Sequence, residues 1–550
     1  MRPEINGLNA LTSQLVNEYW DFYPTAASRT GEHSYDGRLP DLSATNTSRR
    51  IRRLKQRKHD LSTLSVNDPV YHSIEHKLLS HFLDKDLFNL QQMESVKFNP
   101  VRQVGHLNIR PYIMRNYAPL TDRLRSMSSL FLQVPEFLKS LTERLDNNIG
   151  HQVLQASIDG YSGIAHLYRT GLDSGVQDCK DQSLVKAVYA ASELAAKAVD
   201  AFIAELKHLS SSCTPDSAIG SDLFSSMLLA NECVSTELSD LIRIGQSNLE
   251  DNLAELKSLA NTLAPRNSIK ETVMVIAKNH PSDSAVIPET QKMLEDIRSR
   301  LIALDIVSLP SEDRCLVVET PEYMRYAFAA MDSPGSLERS ATESFYYITP
   351  AEPDWSQRER EEWLSNFNYD TLRIISIHEV YPGHFTHHLH NRYGSDLPLI
   401  NLASTSYAFT EGWAHYAEQI MVEIDYPENT LQLKITQILE ALVRNCRYMC
   451  SIGIHTQGMS VDEATQFFVE NAYMEELPAR KEAMRGTFDP GYLNYTLGKL
   501  MILKLRSDFY RENPDTSLKS FHDRLLSHGA PPIPILRDML LKQSSHEPMI

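Results

Sequence analysis

A chain of 550 residues exceeds what one compact core can hold, so two lobes are expected, each burying its own apolar interior. The 42% hydrophobic and 23% charged residues are those of a globular protein, and 71 acidic against 54 basic side chains give a formal net charge of -17. That charge repels phosphate backbones and anionic lipid headgroups, which argues against nucleic acid and membrane surfaces as partners.

The amino terminus, MRPEINGLNALTSQLVNEYW, has no apolar signal core, and no segment approaches the roughly 20 apolar residues of a membrane span. From Leu8 to about Leu309 one helical pattern follows another, with apolar residues at three- and four-residue spacing. Examples are HSIEHKLLSHFLDKDLFNLQQM, the run from Leu120 to Leu145, and SLVKAVYAASELAAKAVDAFIAELKHL. There is no fixed-period repeat, so a solenoid is disfavoured. The stretch SLPSEDRCLVVETPEYMRYAF changes character. LVVE and, at Phe345 to Thr349, FYYIT are short β-branched and aromatic runs bounded by turn residues, expected as a few short strands near the active site. FYYIT is a candidate edge strand for pairing with an extended substrate.

Helices then resume to the end, with a capping box at Ser460-Val-Asp-Glu463 and a stop at Gly529 before Pro531 and Pro532. The expected division is a helical lobe over 1–310 and a catalytic lobe over 311–550. Six cysteines lie at irregular spacing, which fits a reducing cytoplasm and not a disulfide framework. Cys446 and Cys450, four apart in ILEALVRNCRYMC, are expected as buried thiols on a helix face.

The segment RIISIHEVYPGHFTHHLH, residues 373 to 390, places five of twenty histidines within thirteen residues, directly after an apolar run. Neutral imidazoles are good zinc ligands, and a glutamate immediately after the first of them is what a metallohydrolase uses to deprotonate the attacking water. His378-Glu379 has that order. The second histidine of a zinc-protease helix usually follows four residues later, but position 382 is proline and the next candidate is His384. Six residues at about 100° each would turn His384 away from His378 on a straight helix. Pro382 removes an amide hydrogen and Gly383 tolerates unusual dihedrals, so the pair can break the helix and return His384 to the site. His387, His388 and His390 are expected to decorate the helix surface, with His388 as reserve ligand.

A third ligand is offered by STSYAFTEGWAHYAEQIMVE. Glu411, His415 and Glu418 share one helical face, so Glu411 can bind metal while His415 and Glu418 orient the ligands. Interleaved Phe409, Trp413 and Tyr416 indicate a buried helix, where unpaired carboxylates are costly.

HEVYPGH at 378 to 384, EGWAHYAEQIMVE at 411 to 423, and RGTFDPGYLNYTLGKLMILKLR at 485 to 506 resemble the family catalogued as domain of unknown function eight-eight-five, grouped with zinc metallopeptidases. FHDRLLSHGAPPIPIL at 521 to 536 and GEHSYDGRLPDLS at 31 to 43 also match its pattern, so the similarity spans nearly the whole chain. The resemblance implies a mainly α, two-lobed metallopeptidase-like fold with a deep cleft, the 1–310 lobe forming one wall. It also implies the ligand set His378, His384 and Glu411. Phe385 departs from the many members that carry histidine there.

Negative charge builds on the carbonyl oxygen during hydrolysis, and DPGYLNYTLGK supplies donors in Tyr492, Tyr495 and Lys499. Tyr495 resembles the family's tyrosine in Tyr-x-x-Gly-Lys and is the candidate oxyanion donor, with Arg485 a candidate for binding a substrate carboxylate. The expected activity is zinc-dependent hydrolysis of a short peptide or amide-containing small molecule, with Glu379 as base. A metal-dependent amidase for a non-peptide metabolite uses the same residues, and a catalytically silent helical binding protein would normally have lost some of them.

Overall fold

A computed structural model describes residues 3–63, 74–209, 214, 217–320, 329–352, 354–393, 405–424, 430–541 and 548–550. The chain is mainly α, with one small sheet. Its described residues fall into two compact units. One comprises Met1–Ile219 and Pro334–Thr342, and the other Gly220–Ser333, Glu343–Leu397 and Thr405–Ile550.

The principal helices of the first unit are α1 (Pro3–Phe22), α2 (Ala44–Ser62), α3 (Ile74–Phe88), α4 (Leu120–Thr142), α5 (His151–Thr170) and α6 (Gln182–Leu209). Helix α6 packs on α4 and α5. The reason is legible in the spacing: α4 buries Leu124, Met127, Phe131, Val134 and Leu138, and α6 buries Val188, Ala191, Ala195, Val199, Phe202 and Leu206. The Leu, Val, Met and Phe side chains among these contribute roughly 1.5–3 kcal/mol each to the core. Segment 334–342 docks on the turn that follows Thr30. Leu337 N–H donates to Thr30 O at 2.8 Å, and the Glu338 carboxylate lies 2.7 Å from His33 Nε2. His33 Nδ1 is 3.1 Å from Asp36 Oδ2, and its ring stacks on Tyr117 with centroids 3.7 Å apart. The other Glu338 oxygen accepts the N–H groups of Arg339, Ser340 and Ala341. The GEHSYDG motif is thus a socket for a distant piece of the chain.

The second unit contains α7 (Ser221–Glu232), α8 (Leu238–Leu263), α9 (Val286–Leu304), β1 (Cys315–Glu319), β2 (Ala329–Asp332), β3 (Ser344–Ile348), α10 (Tyr369–Glu379), α11 (His384–Tyr393), α12 (Tyr407–Glu423), α13 (Leu431–Thr456), α14 (Val461–Ala472), α15 (Glu476–Phe488), α16 (Asn494–Glu512), α17 (Leu518–Leu526) and α18 (Ile533–Leu540). The division differs from the one expected at residue 310, because α7 to α9 belong to the same unit as the segments from Glu343 onward. Helix α8 lies along α13, where Tyr448 donates to Leu241 O at 3.0 Å, and α9 packs on α10 and β1. Similar helical patterns precede and follow the polar turn around residue 219, so periodicity does not mark it as the boundary.

Strand order is β1-β3-β2, with β3 parallel to β1 and antiparallel to β2. The FYYI part of FYYIT is therefore the central strand, paired on both sides, and has no free edge for a substrate; this corrects the edge-strand expectation. Its Tyr346, Tyr347 and Ile348 are buried, as a central strand requires. The capping box at Ser460 and Glu463 is formed, and Gly529 has φ +77° just after α17. Cys446 and Cys450 are buried among Leu442, Ala464 and Phe468, and the five described cysteines are free thiols. Among the described residues, no helix is long and apolar enough to cross a membrane.

Candidate metal centre

Helix α10 is capped by Asn368, which accepts from Thr371 N–H at 3.0 Å, and it buries Leu372, Ile374 and Ile377. It ends at Glu379. Val380 leaves the helical region at φ -119°, ψ -81°, the Tyr381–Pro382 peptide is cis, and α11 begins at His384. Gly383 donates to Ile377 O at 3.0 Å, and a Cβ there would stand 1.7 Å from His378 O, so only glycine fits this close approach. Trp413 Nε1–H reaches the carbonyls of Pro382 and Gly383 at 3.0 and 3.3 Å, tying the break to α12. The result is a fresh helix start that sets the rings of His378 and His384 4.8 Å apart and 89° to each other.

Helix α12 is brought in by an unusually close crossing. A Cβ on Gly412 would meet Gly498 at 2.5 Å, and one on Gly498 would meet Ala408 O at 1.8 Å, so α12 and α16 touch backbone to backbone. Glu411 and Tyr495, each next to that crossing, consequently face the same site.

His378, His384 and Glu411 offer three ligand atoms within 4.8 Å of one another, the group of this kind found among the described residues. Glu411 Oε2 lies 3.6 Å from His378 Nε2 and 3.5 Å from His384 Nε2. Two ligands each about 2.1 Å from a tetrahedral zinc ion stand about 3.4 Å apart, so the spacing fits. Glu411 Oε2 is also buried without a hydrogen-bond partner, a state that costs free energy unless a cation or donor occupies the space between these atoms. Burial alone would raise the Glu411 pKa, but the imidazoles of His384 and His378 hold it well below the ordinary range. Burial would lower that of His378, yet Glu411 and Glu418 lift it to about 9.

Glu418 is completely buried, with Oε1 2.6 Å from His378 Nδ1 and Oε2 3.2 Å from His415 Nδ1. Arg444 forms an ion pair with Glu418, its Nη2 2.8 Å from Oε1, and donates from Nη1 to Glu440 Oε2 at 2.7 Å. Burial raises the Glu418 pKa, and the charges of Arg444 and His415 more than reverse it, so the group is a carboxylate. By engaging His378 Nδ1 it leaves Nε2 as the ring nitrogen that faces Glu411.

Glu379, at the end of α10, is half-buried. After burial itself, its charge raises the pKa of the Cys315 thiol and the Tyr346 phenol, which places the catalytic-base candidate beside β1 and β3. The Tyr495 ring lies 6.4 Å from that of His378, nearly parallel at 18°. Arg485 Nε and Nη2 are already engaged: Asp489 Oδ2 accepts from Nε at 3.3 Å and Nη2 at 3.2 Å, and Nη2 also reaches the hydroxyls of Tyr407 at 3.0 Å and Tyr495 at 3.4 Å. Tyr492 is packed in the core, and Lys499 is buried beside the charges of Glu418 and Arg444, burial lowering its pKa to about 8.

Three of the five clustered histidines stand outside the triad. His387 and His390 are buried, not surface decoration, with ring nitrogens 3.3 Å from Gly529 O and 2.9 Å from Ser308 O. Phe409, 5.2 Å from the His387 ring, and the α17 side fill the space that the sequence left open to solvent. His388 is half-buried and not in the triad. Sequence reading missed Tyr407, Asp489, Arg444 and Arg447. The signals were present as the i, i+4 pairs Glu440/Arg444 and Arg485/Asp489, and as two arginines in the otherwise apolar ILEALVRNCRYMC.

The chain is similar in structure to a protein described as "a putative lipoprotein of unknown function" from Shewanella oneidensis, at 21% identity and TM-score 0.80, covering 98% of this chain and 100% of that one. It is similar to another described as "the putative lipoprotein" from Colwellia psychrerythraea, at 16% identity and TM-score 0.80, covering 98% and 99%. At these identities the likeness concerns the fold alone. No curated protein matches the chain. The family model described as "Bacterial protein of unknown function (DUF885)" matches residues 24–540, and the chain therefore belongs to that family.

Proposed function

We propose that this protein is a metal-dependent hydrolase that cleaves peptide or amide bonds of small substrates, with zinc held by His378, His384 and Glu411. The observation that carries the reading is the buried, unpartnered Glu411 Oε2 placed between two imidazole Nε2 atoms. Bound there, zinc would supply Lewis acidity, lowering the pKa of water and polarising a carbonyl. The remaining roles fall to side chains. Glu379 accepts the proton of the attacking water, the Tyr495 hydroxyl donates to the oxygen on which charge builds, and Glu418 fixes the tautomer and direction of His378. The net charge of -17 disfavours polyanionic substrates, leaving short peptides and neutral amides.

The compartment is part of the same reading. Free thiols suit the cytoplasm, whereas the neighbours' description as lipoproteins suits attachment outside it, and cell fractionation separates the two. The central test is metal analysis of purified protein followed by a peptide and amide panel with and without chelator. About one zinc per chain and chelator-sensitive cleavage are expected. Absence of both overturns the proposal.

A further inference from the structure

We infer that Arg485 is a positioning residue, not an anchor for a substrate carboxylate: with Asp489 and Tyr407 it fixes the Tyr495 hydroxyl as a hydrogen-bond donor facing the metal triad. The inference rests on the hydrolase reading for its catalytic meaning, and on geometry alone for the positioning.

The polarity of the network follows from what each group can do. A guanidinium only donates and a carboxylate only accepts. Asp489 Oδ2 therefore accepts from Arg485 Nε and Nη2 and, at 3.1 Å, from the Tyr407 hydroxyl. With its proton committed to Asp489, Tyr407 receives Arg485 Nη2–H on its oxygen, and Arg485 Nη2 also approaches the oxygen of Tyr495. The Tyr495 oxygen is thus engaged as an acceptor, which leaves its own proton to be offered elsewhere.

The ring is fixed as firmly as the hydroxyl. Arg447 sits 4.9 Å from the Tyr495 ring centre and is itself held by Glu482 through Nε at 2.8 Å and Nη2 at 2.7 Å. The Tyr407 ring meets Tyr495 at 5.9 Å and 70°, and the His378 ring lies 6.4 Å from it, nearly parallel. Two arginines converge on this phenol, and each is paired with a carboxylate. Neither carries the uncompensated charge that would select an anionic substrate terminus, so this wall of the site should accept a neutral chain end as readily as a free carboxylate.

The test compares N-acetylated peptides cleaved by the zinc-loaded protein, in matched free-acid and C-terminal-amide forms. Arg485→Gln, Asp489→Asn and Tyr407→Phe are expected to lower kcat about tenfold or more for both forms, with KM within about twofold. In a Tyr495→Phe background the same substitutions should change kcat little, because the group they position is gone. A rise in KM confined to free-acid peptides, or full effects persisting without the Tyr495 hydroxyl, overturns the inference. If wild-type protein cleaves no member of the panel, the hydrolase reading fails by itself. Thermal midpoints of Arg485→Gln, Tyr495→Phe and the double variant then decide the positioning. A double-variant loss clearly smaller than the sum supports it, and strict additivity overturns it.

Discussion

Within the triad, Glu411 holds one buried oxygen, Oε2, between two imidazoles without a hydrogen-bond partner, whereas Glu379, also half-buried, is not one of the three grouped ligands. That contrast separates ligand from base. Glu379→Gln is expected to keep about one zinc per chain and to lose about 10²–10⁴ in kcat, because an amide preserves the shape but accepts no proton. Near wild-type turnover with metal retained would remove Glu379 from the role. His384→Ala should release the metal on dialysis and His388→Ala should not; the opposite pattern in metal analysis would move the ligand to His388. These residues were legible because chemistry constrains their type and order. Arg485 was legible only in type. Its i, i+4 relation to Asp489 was in the sequence, but the two phenols on its other side come from α12 and α16, and no local pattern reports them.

At the level of elements, the crossing of α12 and α16 does what hydrophobic patterning cannot. The motifs EGWAHYAE and YTLGK contain the glycines that make the crossing possible, but their meaning lies in each other's backbone and is invisible one segment at a time. Gly498→Ala drives a methyl to within 1.8 Å of Ala408 O, a main-chain atom with nowhere to yield. The expected cost is about 3 kcal/mol or more, at or above the usual range for overpacking, and the helices should separate enough to weaken zinc binding as well. A thermal midpoint and zinc affinity both equal to wild type would show that the contact is soft. The break between α10 and α11 was readable from Pro382 and Gly383. The position of β3 was not: a short aromatic strand reads the same at an edge as in the middle, and only the pairing on both sides distinguishes them.

For the molecule as a whole, acid sensitivity follows from histidines that fold in the neutral state. Burial, with Arg29 nearby, pushes His106 down to about 3, and its Nδ1 lies 2.6 Å from Thr25 Oγ1. Burial also takes His522 to about 3, between Ile306 O at 2.7 Å and the Tyr416 hydroxyl at 2.8 Å. A histidine with a folded pKa below its unfolded value near 6.5 is proton-poor in the native state. Stability is therefore whole above pH 6.5 and falls as pH drops from 6.5 toward 3, by about 1.4 kcal/mol per pH unit for each such group. Urea midpoints between pH 7.5 and 4.5 should decline accordingly, and His522→Gln should start lower at pH 7.5 but decline less steeply. An unchanged slope would mean that another group carries the effect. The helical class was evident from periodicity, whereas the boundary at residue 219 was not, since it depends on which helices a stripe packs against.

The segment between β2 and β3 leaves the second unit, lodges Glu338 against His33, and returns. The two units are therefore interlaced in the chain, not strung one after the other, and no single cut yields two self-sufficient pieces. A fragment beginning at Gly220 would retain residues 334–342 as a tongue without its socket, Glu338 Oε2 and the Leu337 amide stripped of their partners. Modular exchange of the amino-terminal unit between relatives must for this reason carry the tongue along with the GEHSYD turn, and the two stretches, some 300 residues apart in sequence, form one heritable part.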